Sequence, residues 1–400
     1  MSRLESSDPR DIHFAVPQVH RLRCTGEVAA EDFHELLALL HPARNEQGQP
    51  LPHRVLLWAD AQVAQASGRV DEIARQLAQS TAVELVGPVQ TIPGGEAAKN
   101  SPAVIERLLA DINRAMLDRR SYIVAIGGGA MLDAAGYAAA IAHRGIRLLR
   151  IPTTTLAQAD SGVGVKNAIN YFGKKNWVGT FAVPWAVIND AGFLTTLPER
   201  DFVCGFSEAV KVALIKDAGE FDWISRHAAA IAQRRMPIAC RAIETSCRMH
   251  LEHITRGGDP FEEREARPLD FGHWSAHRLE SLSQYAVRHG EAVAIGVALD
   301  CIYSMLVHGF PEAEVQRVCR CFGQLGLPLW DPALDDFDRI LDGLEEFRQH
   351  LGGRLTVTML RDVGDPIDVH AIDPEAMRQA GQRLKSIATP MISPSSEWQP

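Results

Sequence analysis

The order of apolar runs along the chain constrains its fold more than any other feature. In the first half, short apolar runs that suit buried parallel strands alternate with stretches of helical periodicity. The predicted strands are 54–59, 83–87, 122–126 and 147–154, and the predicted helices are 66–79, 101–118 and 131–142. Ser101 and Pro102 suit the N-cap and the first position of the second of these helices. Strands that alternate with helices predict a doubly wound α/β sheet, and therefore a Rossmann-like domain.

After about residue 198 the pattern changes, because strand-like runs almost disappear and long amphipathic helices follow one another. The predicted helices are 201–217, 219–233, 236–256, 272–285, 289–308 and 311–325. We therefore predict a Rossmann-like domain over 1–197 and an all-α domain over 198–400, with the boundary at Leu197-Pro198. A Pro/Ser-rich tail occupies 389–400.

Composition narrows the classes of partner. A net charge of −9 argues against broad nucleic-acid binding. No apolar run approaches the roughly 18 residues that a membrane span needs, and the N-terminus lacks the apolar core of a signal peptide. The seven cysteines are scattered, with no C-x-x-C pair, which fits free thiols in a reducing cytoplasm. We expect a cytoplasmic protein whose partners include neither nucleic acid nor membrane.

A glycine turn follows the third predicted strand. Gly127, Gly128 and Gly129 lie between an apolar strand and a helix. Glycines there let the backbone approach a pyrophosphate, and a helix N-terminus favours its negative charge. The spacing is not G-x-G-x-x-G, so a phosphate site and a simple tight turn are about equally favoured. Asp133 suits either the first turn of the helix or a partner for a ribose or nicotinamide group.

Two polar segments follow the fourth predicted strand. The string I-P-T-T-T (151–155) places hydroxyls where doubly wound sheets bind ligands, although it also suits a capped turn. The next segment, a predicted loop over 160–176, suits either a phosphate-bearing substrate or a plain exposed basic loop. Its polar residues are Asp160, Lys166, Asn170, Lys174, Lys175 and Asn176.

A cluster of one glutamate and three histidines lies in the predicted helical half. Glu208 and Lys211 share one helix face at i, i+3, and His273 and His277 share another at i, i+4. His289 opens a further helix. One carboxylate and two imidazoles are a common protein ligand set for a catalytic zinc. One candidate set is Glu208, His273 and His289, but spacing alone does not choose between His273 and His277.

These strings together resemble the 3-dehydroquinate synthase-like sugar phosphate cyclases, from about Asp60 to Gly296. The motifs that carry the resemblance are I-P-G-G-E-A-A-K-N (92–100), G-G-G-A-M-L-D-A-A-G (127–136), H-R-G-I (143–146), I-P-T-T-T-L-A-Q-A-D-S-G-V-G-V-K (151–166), G-K-K-N-W-V-G-T-F (173–181), L-P-E-R (197–200), E-A-V-K (208–211), D-F-G-H (270–273) and H-G-E-A-V-A-I-G (289–296).

The resemblance implies an N-terminal NAD-binding domain and a C-terminal helical domain, with the active site in the cleft between them. By motif, the positions that match the metal ligands are Glu208, His273 and His289. Those that match the surroundings of the NAD are Asp60, Glu96, Lys99, Gly128, Gly129, Asp133, Thr153, Thr154, Lys175 and Thr196. Those that match the substrate and catalytic pocket are Asp160, Lys166, Asn176, Lys211 and His277. Arg144 matches an arginine that reaches the substrate phosphate across a dimer interface.

The chain departs from dehydroquinate synthases around the pocket. Asp270 replaces the asparagine of L-N-F-G-H, and His250 replaces a pocket lysine. An arginine expected before Asp270 corresponds to Arg267 or Arg264, and the segment R-Q-H-L-G-G (348–353) lacks a late phosphate-contacting lysine. An added anion and a lost cation make a poor carboxylate site. The chain therefore resembles the sedoheptulose 7-phosphate cyclases, such as 2-epi-5-epi-valiolone synthase, and most of all the EboD type.

The resemblance implies a redox-neutral cyclisation of a phosphorylated sugar with loss of phosphate, dependent on NAD and on zinc or cobalt, in a homodimer. In that chemistry Lys166, Lys211 and Arg144 hold the phosphate, while His277 and Asp270 steer protons. Three alternatives remain open: a 3-dehydroquinate synthase, a metal-dependent polyol dehydrogenase of the same architecture, and a non-catalytic metabolite-binding protein.

Overall fold

The computed structural model describes residues 11–12, 14–40, 43–44, 47–172, 174–257, 259–262, 267–350 and 353–388. Arg264 and the tail at 389–400 lie outside the described residues. The strands, numbered in chain order, are β1 (Leu22–Thr25), β2 (Ala43–Arg44), β3 (Pro50–Leu51), β4 (His53–Asp60), β5 (Val83–Leu85), β6 (Gln90–Ile92), β7 (Tyr122–Gly127), β8 (Arg147–Pro152), β9 (Lys166–Tyr171), β10 (Lys174–Phe181), β11 (Ala186–Asp190), β12 (Val357–Asp362) and β13 (Asp365–Val369).

The α-helices, numbered in the same way, cover both parts of the chain. They are α1 (Phe33–Leu39), α2 (Ala61–Ala66), α3 (Arg69–Gln79), α4 (Pro102–Arg114), α5 (Gly129–Ile141), α6 (Ala191–Leu194), α7 (Glu199–Lys216), α8 (Ala218–Ala232), α9 (Met236–Arg256), α10 (His273–Leu282), α11 (His289–His308), α12 (Glu312–Leu325), α13 (Phe337–His350) and α14 (Pro374–Ala388).

A seven-stranded sheet forms the centre of the N-terminal part, in the order β1-β11-β8-β7-β4-β5, with β6 also paired to β4. All of these strand pairs are parallel. Leu57 and Trp58, adjacent on β4, enter different apolar clusters, because successive side chains of a strand point to opposite faces. Helices on both faces of a parallel sheet, followed by a helical region, confirm the predicted fold class.

The sheet contains three strands that the apolar pattern does not predict. They are β1, β6 and β11, with four, three and five residues. Such short runs do not stand out from turns in the sequence. The predicted boundary at Leu197-Pro198 falls between α6 and α7, and it stays a prediction.

The predicted helix over 66–79 corresponds to α3, which begins three residues later, at Arg69, and ends at Gln79. The sequence did not predict α2, which starts directly after β4 because Asp60 Oδ1 accepts a hydrogen bond from the backbone N of Gln62 (2.8 Å). Ser67 is extended and ends α2. At α4, Pro102 takes the first helical position as predicted, but the Ser101 side chain makes no capping hydrogen bond.

The predicted loop over 160–176 is also wrong, because β9 and β10 form an antiparallel hairpin there. Half-buried and exposed residues roughly alternate along β10, the pattern of a strand with one face partly covered. A second hairpin, β12–β13, lies within the part predicted to be all helical. Lys166, Lys174 and Lys175 therefore lie on hydrogen-bonded strands rather than in a loop.

Helix α11 is long and apolar enough to cross a membrane by length and composition, which corrects the expectation that no run approaches that length. However, 83% of the qualifying window is buried inside the molecule. Its fully buried residues, such as Val297 and Ala298, belong to the apolar cluster of the helical part. The apolar composition of α11 is that of a central core helix.

Helix α7 joins the helical part to the carboxyl end of the sheet. The hydroxyl of Thr155 donates to the carbonyl of Phe202 (2.8 Å) and accepts from the backbone N of Gly205 (3.2 Å). A Cβ at Gly205 would overlap the backbone of Thr155 and Leu156. Only glycine therefore allows α7 to lie this close to the segment that follows β8.

We predict that Gly205→Ala destabilises the protein by roughly 1–3 kcal/mol or more, because the added methyl group forces α7 away from Thr155. The matched control is Gly323→Ala in α12, where nothing lies within 4 Å of the added Cβ and alanine favours the helix by up to about 1 kcal/mol. Thermal unfolding of both variants tests this. Equal melting temperatures for the two would contradict the proposed close approach.

Candidate active site

Three helices bring one glutamate and two histidines together. Glu208 lies in the middle of α7, while His273 and His289 are the first residues of α10 and α11. The Nε2 atoms of His273 and His289 lie 3.4 and 3.5 Å from Oε1 of Glu208. One ligand atom from each residue lies within 4.8 Å of the others, so the three residues could bind one metal ion.

The alternative histidine lies beside this group. The ring of His277 is 5.3 Å from that of His273 and 5.9 Å from that of His289, centroid to centroid. His277 instead forms a second potential ligand group with Glu280 and His289. The arrangement favours His273 as the partner of Glu208, which the sequence spacing left open.

Glu208 has the character of a metal ligand. Its side chain is buried, and neither carboxylate oxygen has a hydrogen bond of proper geometry. Lys211 Nζ lies 2.5 Å from Oε2. Although burial opposes ionisation, Lys211 and His273 hold the pKa of the Glu208 carboxyl well below its usual range. A buried, ionised carboxylate whose Oε1 faces two imidazoles fits a divalent cation.

Backbone contacts fix where α10 begins. Gly272 is left-handed (φ 77°), a conformation that glycine adopts without strain. Its backbone N donates to Asp300 Oδ2 (3.0 Å), and Trp274 Nε1 donates to Asp300 Oδ1 (3.0 Å). Asp300, in the core of α11, therefore holds the residues on either side of His273.

The start of α11 is positioned in a comparable way. A Cβ at Gly290 would overlap the carbonyl oxygen of Cys204 on α7. This close approach brings His289, the neighbour of Gly290, beside Glu208. Only glycine fits at position 290, and this close packing of α11 on α7 keeps His289 near Glu208.

Glu280 is a residue of the site that the sequence argument did not identify. It is 3% exposed, and its oxygens lie 3.1 Å from His289 Nδ1 and 2.6 Å from Lys175 Nζ. Although burial opposes it, His289 and Lys175 lower the pKa of Glu280. The carboxylate orients His289 so that Nε2 faces Glu208, as outer partners of metal ligands commonly do. The sequence signal that could have identified Glu280 is its position one helical turn after His277, on the same face of the helix.

The glycine turn and its neighbours form a close-packed cradle at the carboxyl end of β7. A Cβ at Gly129 would overlap the hydroxyl of Ser161, and one at Gly128 would lie 3.3 Å from Thr154. The hydroxyls of Thr153 and Ser161 are buried without a hydrogen-bond partner. Unpartnered donors beside the N-terminus of α5 fit an anionic or polar ligand.

Asp60 lies beneath this cradle and caps α2. A Cβ at Gly94 would lie 2.7 Å from its Oδ2. Burial raises the pKa of Asp60 above its usual value, against the backbone hydrogen bonds from Gln62 and Val63. Oδ1 of Asp60 accepts the capping hydrogen bonds of α2, whereas Oδ2 takes no part in the cap and lies beside the backbone of Gly94.

The predicted nucleotide and substrate residues converge on the hairpin β9–β10. Lys99 Nζ lies 2.6 Å from Asp133 Oδ2 and also contacts Asn176 Oδ1. Lys175 Nζ lies 3.6 Å from Glu96. Asp133 lies beyond the first turn of α5, so the simple first-turn interpretation is wrong.

The pocket next to Glu208 is lined by charged groups. It is formed by Asp160, Lys211 and His250 together with apolar residues. His250 Nδ1 lies 2.7 Å from Asp160 Oδ1. Although burial opposes it, His250 lowers the pKa of Asp160. Glu208 completes this polar wall.

A second ion cluster joins the start of β9 to the segment before α10. Lys166 contacts Glu262, and Arg267 Nη1 lies 3.6 Å from the other oxygen of Glu262. Burial opposes ionisation of Asp270, but Lys166 and His273 lower its pKa. This cluster therefore contains two cations and two anions.

Two predicted site residues do not join these contacts. Arg144 is exposed on the turn after α5, where His143 and Arg144 both have a left-handed backbone (φ 51° and 62°). Thr196 donates its hydroxyl to the carbonyl of Phe193 (3.3 Å). Left-handed residues other than glycine carry a cost of roughly 1–3 kcal/mol.

Sequence comparison finds two adjoining family matches. The 3-dehydroquinate synthase N-terminal family matches residues 89–204, and the 3-dehydroquinate synthase C-terminal family matches residues 205–346. The chain is 37% identical over 297 residues to a 3-dehydroquinate synthase of Geobacillus thermodenitrificans (strain NG80-2), which spans 74% of this chain and 79% of that one.

Structural comparison finds cyclases of the same fold. ValA, a 2-epi-5-epi-valiolone synthase from Streptomyces hygroscopicus subsp. jinggangensis 5008 with NAD+ and Zn2+ bound, superposes with a TM-score of 0.83 at 26% identity, over 94% of this chain and 99% of that one. A 2-deoxy-scyllo-inosose synthase complexed with carbaglucose-6-phosphate, NAD+ and Co2+ gives 0.74 at 23% identity, over 90% and 96%. The second likeness shows the fold alone.

We predict that His273→Ala lowers the zinc content of the purified, zinc-loaded protein, because it removes one of three ligands. The matched control is His227→Ala, whose ring stacks on Trp223 in α8. Metal analysis after dialysis measures both variants. Equal zinc content in the wild type and His273→Ala would contradict the ligand set.

We also predict that Asp300 makes stability depend on pH. Burial raises the pKa of Asp300 from 3.8 to about 7, against the hydrogen bonds from Trp274 and Gly272. Since the pKa of Asp300 is higher in the folded than in the unfolded state, its contribution to the free energy of unfolding is greatest below pH 4. That contribution is lost as pH rises to about 7, which lowers the free energy of unfolding by at most about 4 kcal/mol.

Asp300→Asn tests this, because asparagine does not ionise. Its free energy of unfolding should fall less than that of the wild type between pH 4 and pH 7, with any lost hydrogen bond adding a constant offset. Denaturant unfolding at both pH values measures the difference. Parallel curves for the two proteins would contradict the raised pKa.

Proposed function

The chain belongs to the 3-dehydroquinate synthase family, and we propose that it is an NAD- and zinc-dependent sugar phosphate cyclase. Its substrate would be a ketose phosphate of the sedoheptulose 7-phosphate type, converted to a carbocycle with elimination of phosphate. The enzyme would thus be a carbon–oxygen lyase that acts on phosphates. The observation that carries the proposal is the buried Glu208 carboxylate, which faces two imidazoles beside a pocket lined by Asp160, Lys211 and His250.

Glu208, His273 and His289 would hold the metal, which could also be cobalt. When bound, the metal would supply a Lewis acid and NAD+ a reversible hydride acceptor. Glu280 would keep His289 oriented through Nδ1. The residues that would surround the NAD are Asp60, Glu96, Lys99, Gly128, Gly129, Asp133, Thr153, Thr154, Lys175 and Thr196.

His277 would accept and return a proton through its imidazole. Burial, with His273 and Lys175, holds the pKa of His277 well below its usual range, so the ring is neutral at neutral pH and can act as a base. Asp270 and Asp160, which are ionised, would complete the proton-handling groups. Asn176, held against Lys99, would contact the substrate from the hairpin.

Lys166 and Lys211 would hold the substrate phosphate from this chain. The third cation would be Arg144 of the partner subunit in a homodimer. Its exposure supports this role, because an exposed side chain is accessible to a partner subunit.

The pocket supports a substrate that lacks a carboxylate. Asp270 is an ionised group near Lys166 and His273, and a substrate carboxylate there would meet like charge. His250, which occupies the place of a family lysine, is already paired with Asp160. Both features reduce the positive charge that a carboxylate would need.

The alternative function is that of a 3-dehydroquinate synthase. The curated relative of that name supports it, as does Arg267, a cation beside Glu262 in the ion cluster that could pair with a substrate carboxylate. A polyol dehydrogenase is a second alternative, but it would leave Lys166 and Lys211 without a phosphate to bind.

We predict that zinc-loaded protein with NAD+ releases phosphate from sedoheptulose 7-phosphate without net NADH. The reason is that the proposed cyclisation returns its hydride in each turnover. A phosphate assay and absorbance at the NADH band measure the two quantities, and Glu208→Gln serves as the variant without an anionic ligand.

The carboxylate-bearing counterpart, a 3-deoxyheptulosonate 7-phosphate, should be the poorer substrate. Asp270→Asn should reduce the ratio of the two turnover rates about tenfold, because it removes one negative charge that repels the substrate carboxylate. Faster turnover of the carboxylate-bearing compound by the wild type would support 3-dehydroquinate synthase instead. Stoichiometric NADH would support a dehydrogenase.

A further inference from the structure

Arg150 on β8 is a fully buried cation at the centre of the molecule. It is 0% exposed. Among the residues that the structure describes, no carboxylate forms an ion pair with it, and its Nε has no hydrogen-bond partner. Burial lowers the pKa of Arg150 to about 10, with Asp133 opposing the shift, so the group stays charged at neutral pH. Burying a charge without an ion-pair partner is unfavourable for folding, so we expect the Arg150 guanidinium to have a function that outweighs this cost.

Within the described residues, the hydrogen bonds of the Arg150 side chain all go to one short segment. Nη1 donates to the carbonyls of Gly162 (3.0 Å) and Gly164 (2.9 Å), and Nη2 donates to Asn167 Oδ1. This segment joins Asp160, at the end of a helical turn, to Lys166, the first residue of β9. The guanidinium therefore fixes the backbone between two residues that the proposed function assigns to the substrate.

The segment held by Arg150 contains two glycines. Its sequence is S-G-V-G-V (161–165), and glycine has the largest conformational freedom of any residue. Its other contacts include His20 Nε2, 2.8 Å from the carbonyl of Val163, the backbone N of Ala182, which donates to the carbonyl of Val165 (2.8 Å), and the apolar cluster that contains the buried Val163. The charge-assisted hydrogen bonds of the planar guanidinium add to these contacts and hold the two glycine carbonyls directly.

Helix α5 is packed against the same group. A Cβ at Gly136 would overlap Asn167 Oδ1 and lie 3.1 Å from Arg150 Nη2. Since α5 begins at the glycine turn of the nucleotide cradle, the Arg150–Asn167 pair touches both the cradle helix and the substrate segment. It can hold the two halves of the site in one geometry.

We propose that Arg150 is a positioning residue that sets the separation of Asp160 and Lys166 by clamping the backbone of residues 162–167. It touches neither the substrate nor a metal ligand. The role deepens the proposed function and rests on it for the statement that these two residues bind the substrate. The hydrogen bonds of Arg150 in the protein without ligands support the backbone clamp independently of the proposed function.

Hydrogen–deuterium exchange of Arg150→Met tests the clamp in the free protein. We expect the amides of residues 160–167 to exchange at least about tenfold faster than in the wild type, because three hydrogen bonds to the segment are lost. Amides of β7 and α11 should change far less. The matched control is Arg147→Met on the same strand, whose side chain instead contacts Tyr122 and Trp185.

Binding of inorganic phosphate, measured by calorimetry on zinc- and NAD-loaded protein, is the second readout. Arg150→Met should bind phosphate about tenfold more weakly, since Lys166 is no longer held, while Arg147→Met should bind as the wild type does. Arg150→Lys, which keeps the charge and can reach one carbonyl, should fall between the two. It also replaces Arg150→Met in both measurements if the methionine variant does not fold.

Faster exchange spread evenly over the sheet, or unchanged exchange at 160–167, would overturn the clamp. The proposed function fails separately, if the wild type neither binds phosphate nor releases it from sedoheptulose 7-phosphate. In that case, local loosening in Arg150→Met would still support the positioning role.

Discussion

The buried carboxylate of Glu208 is the group on which the rest of the site depends. An unpaired charge at this depth costs several kcal/mol, so the fold must supply cations or a metal around it. Lys211 comes from the same helix, but His273 and His289 come from the first turns of two others. Three helices are thereby required to meet at one point above the carboxyl end of the sheet.

Close backbone approaches make this meeting possible. Gly205 lets α7 lie against the segment after β8, and Gly290 lets α11 lie against α7. Gly272 turns the chain into α10, and Asp300 holds that turn. Arg150 is a further buried charge, and it holds the segment between Asp160 and Lys166. Glu208 and Arg150, two buried charges of opposite sign, thus organise neighbouring parts of the site.

Elements with strong local signals were predictable from the sequence. The predicted helices 236–256 and 289–308 coincide with α9 and α11, because long periodic runs there have clear starts or a glycine end. β4, β7 and β8 are apolar runs between turn residues and were also found. The β9–β10 hairpin was missed, because both strands begin with lysine and asparagine, K-N (166–167) and K-K-N (174–176), and neither is a continuous apolar run.

The sequence by itself determined the fold class, the family resemblance and the residue types of the site, since periodicity and ordered motifs are local properties of the chain. The family motifs already favoured His273 over His277, which residue spacing did not, and the tertiary structure has His273 facing Glu208. Only the tertiary structure showed that Glu280 bridges His289 and Lys175. Residues on different helices have no spacing that reports their distance. That distance depends on how closely the backbones pack, which glycines such as Gly205 and Gly290 decide only in the folded molecule.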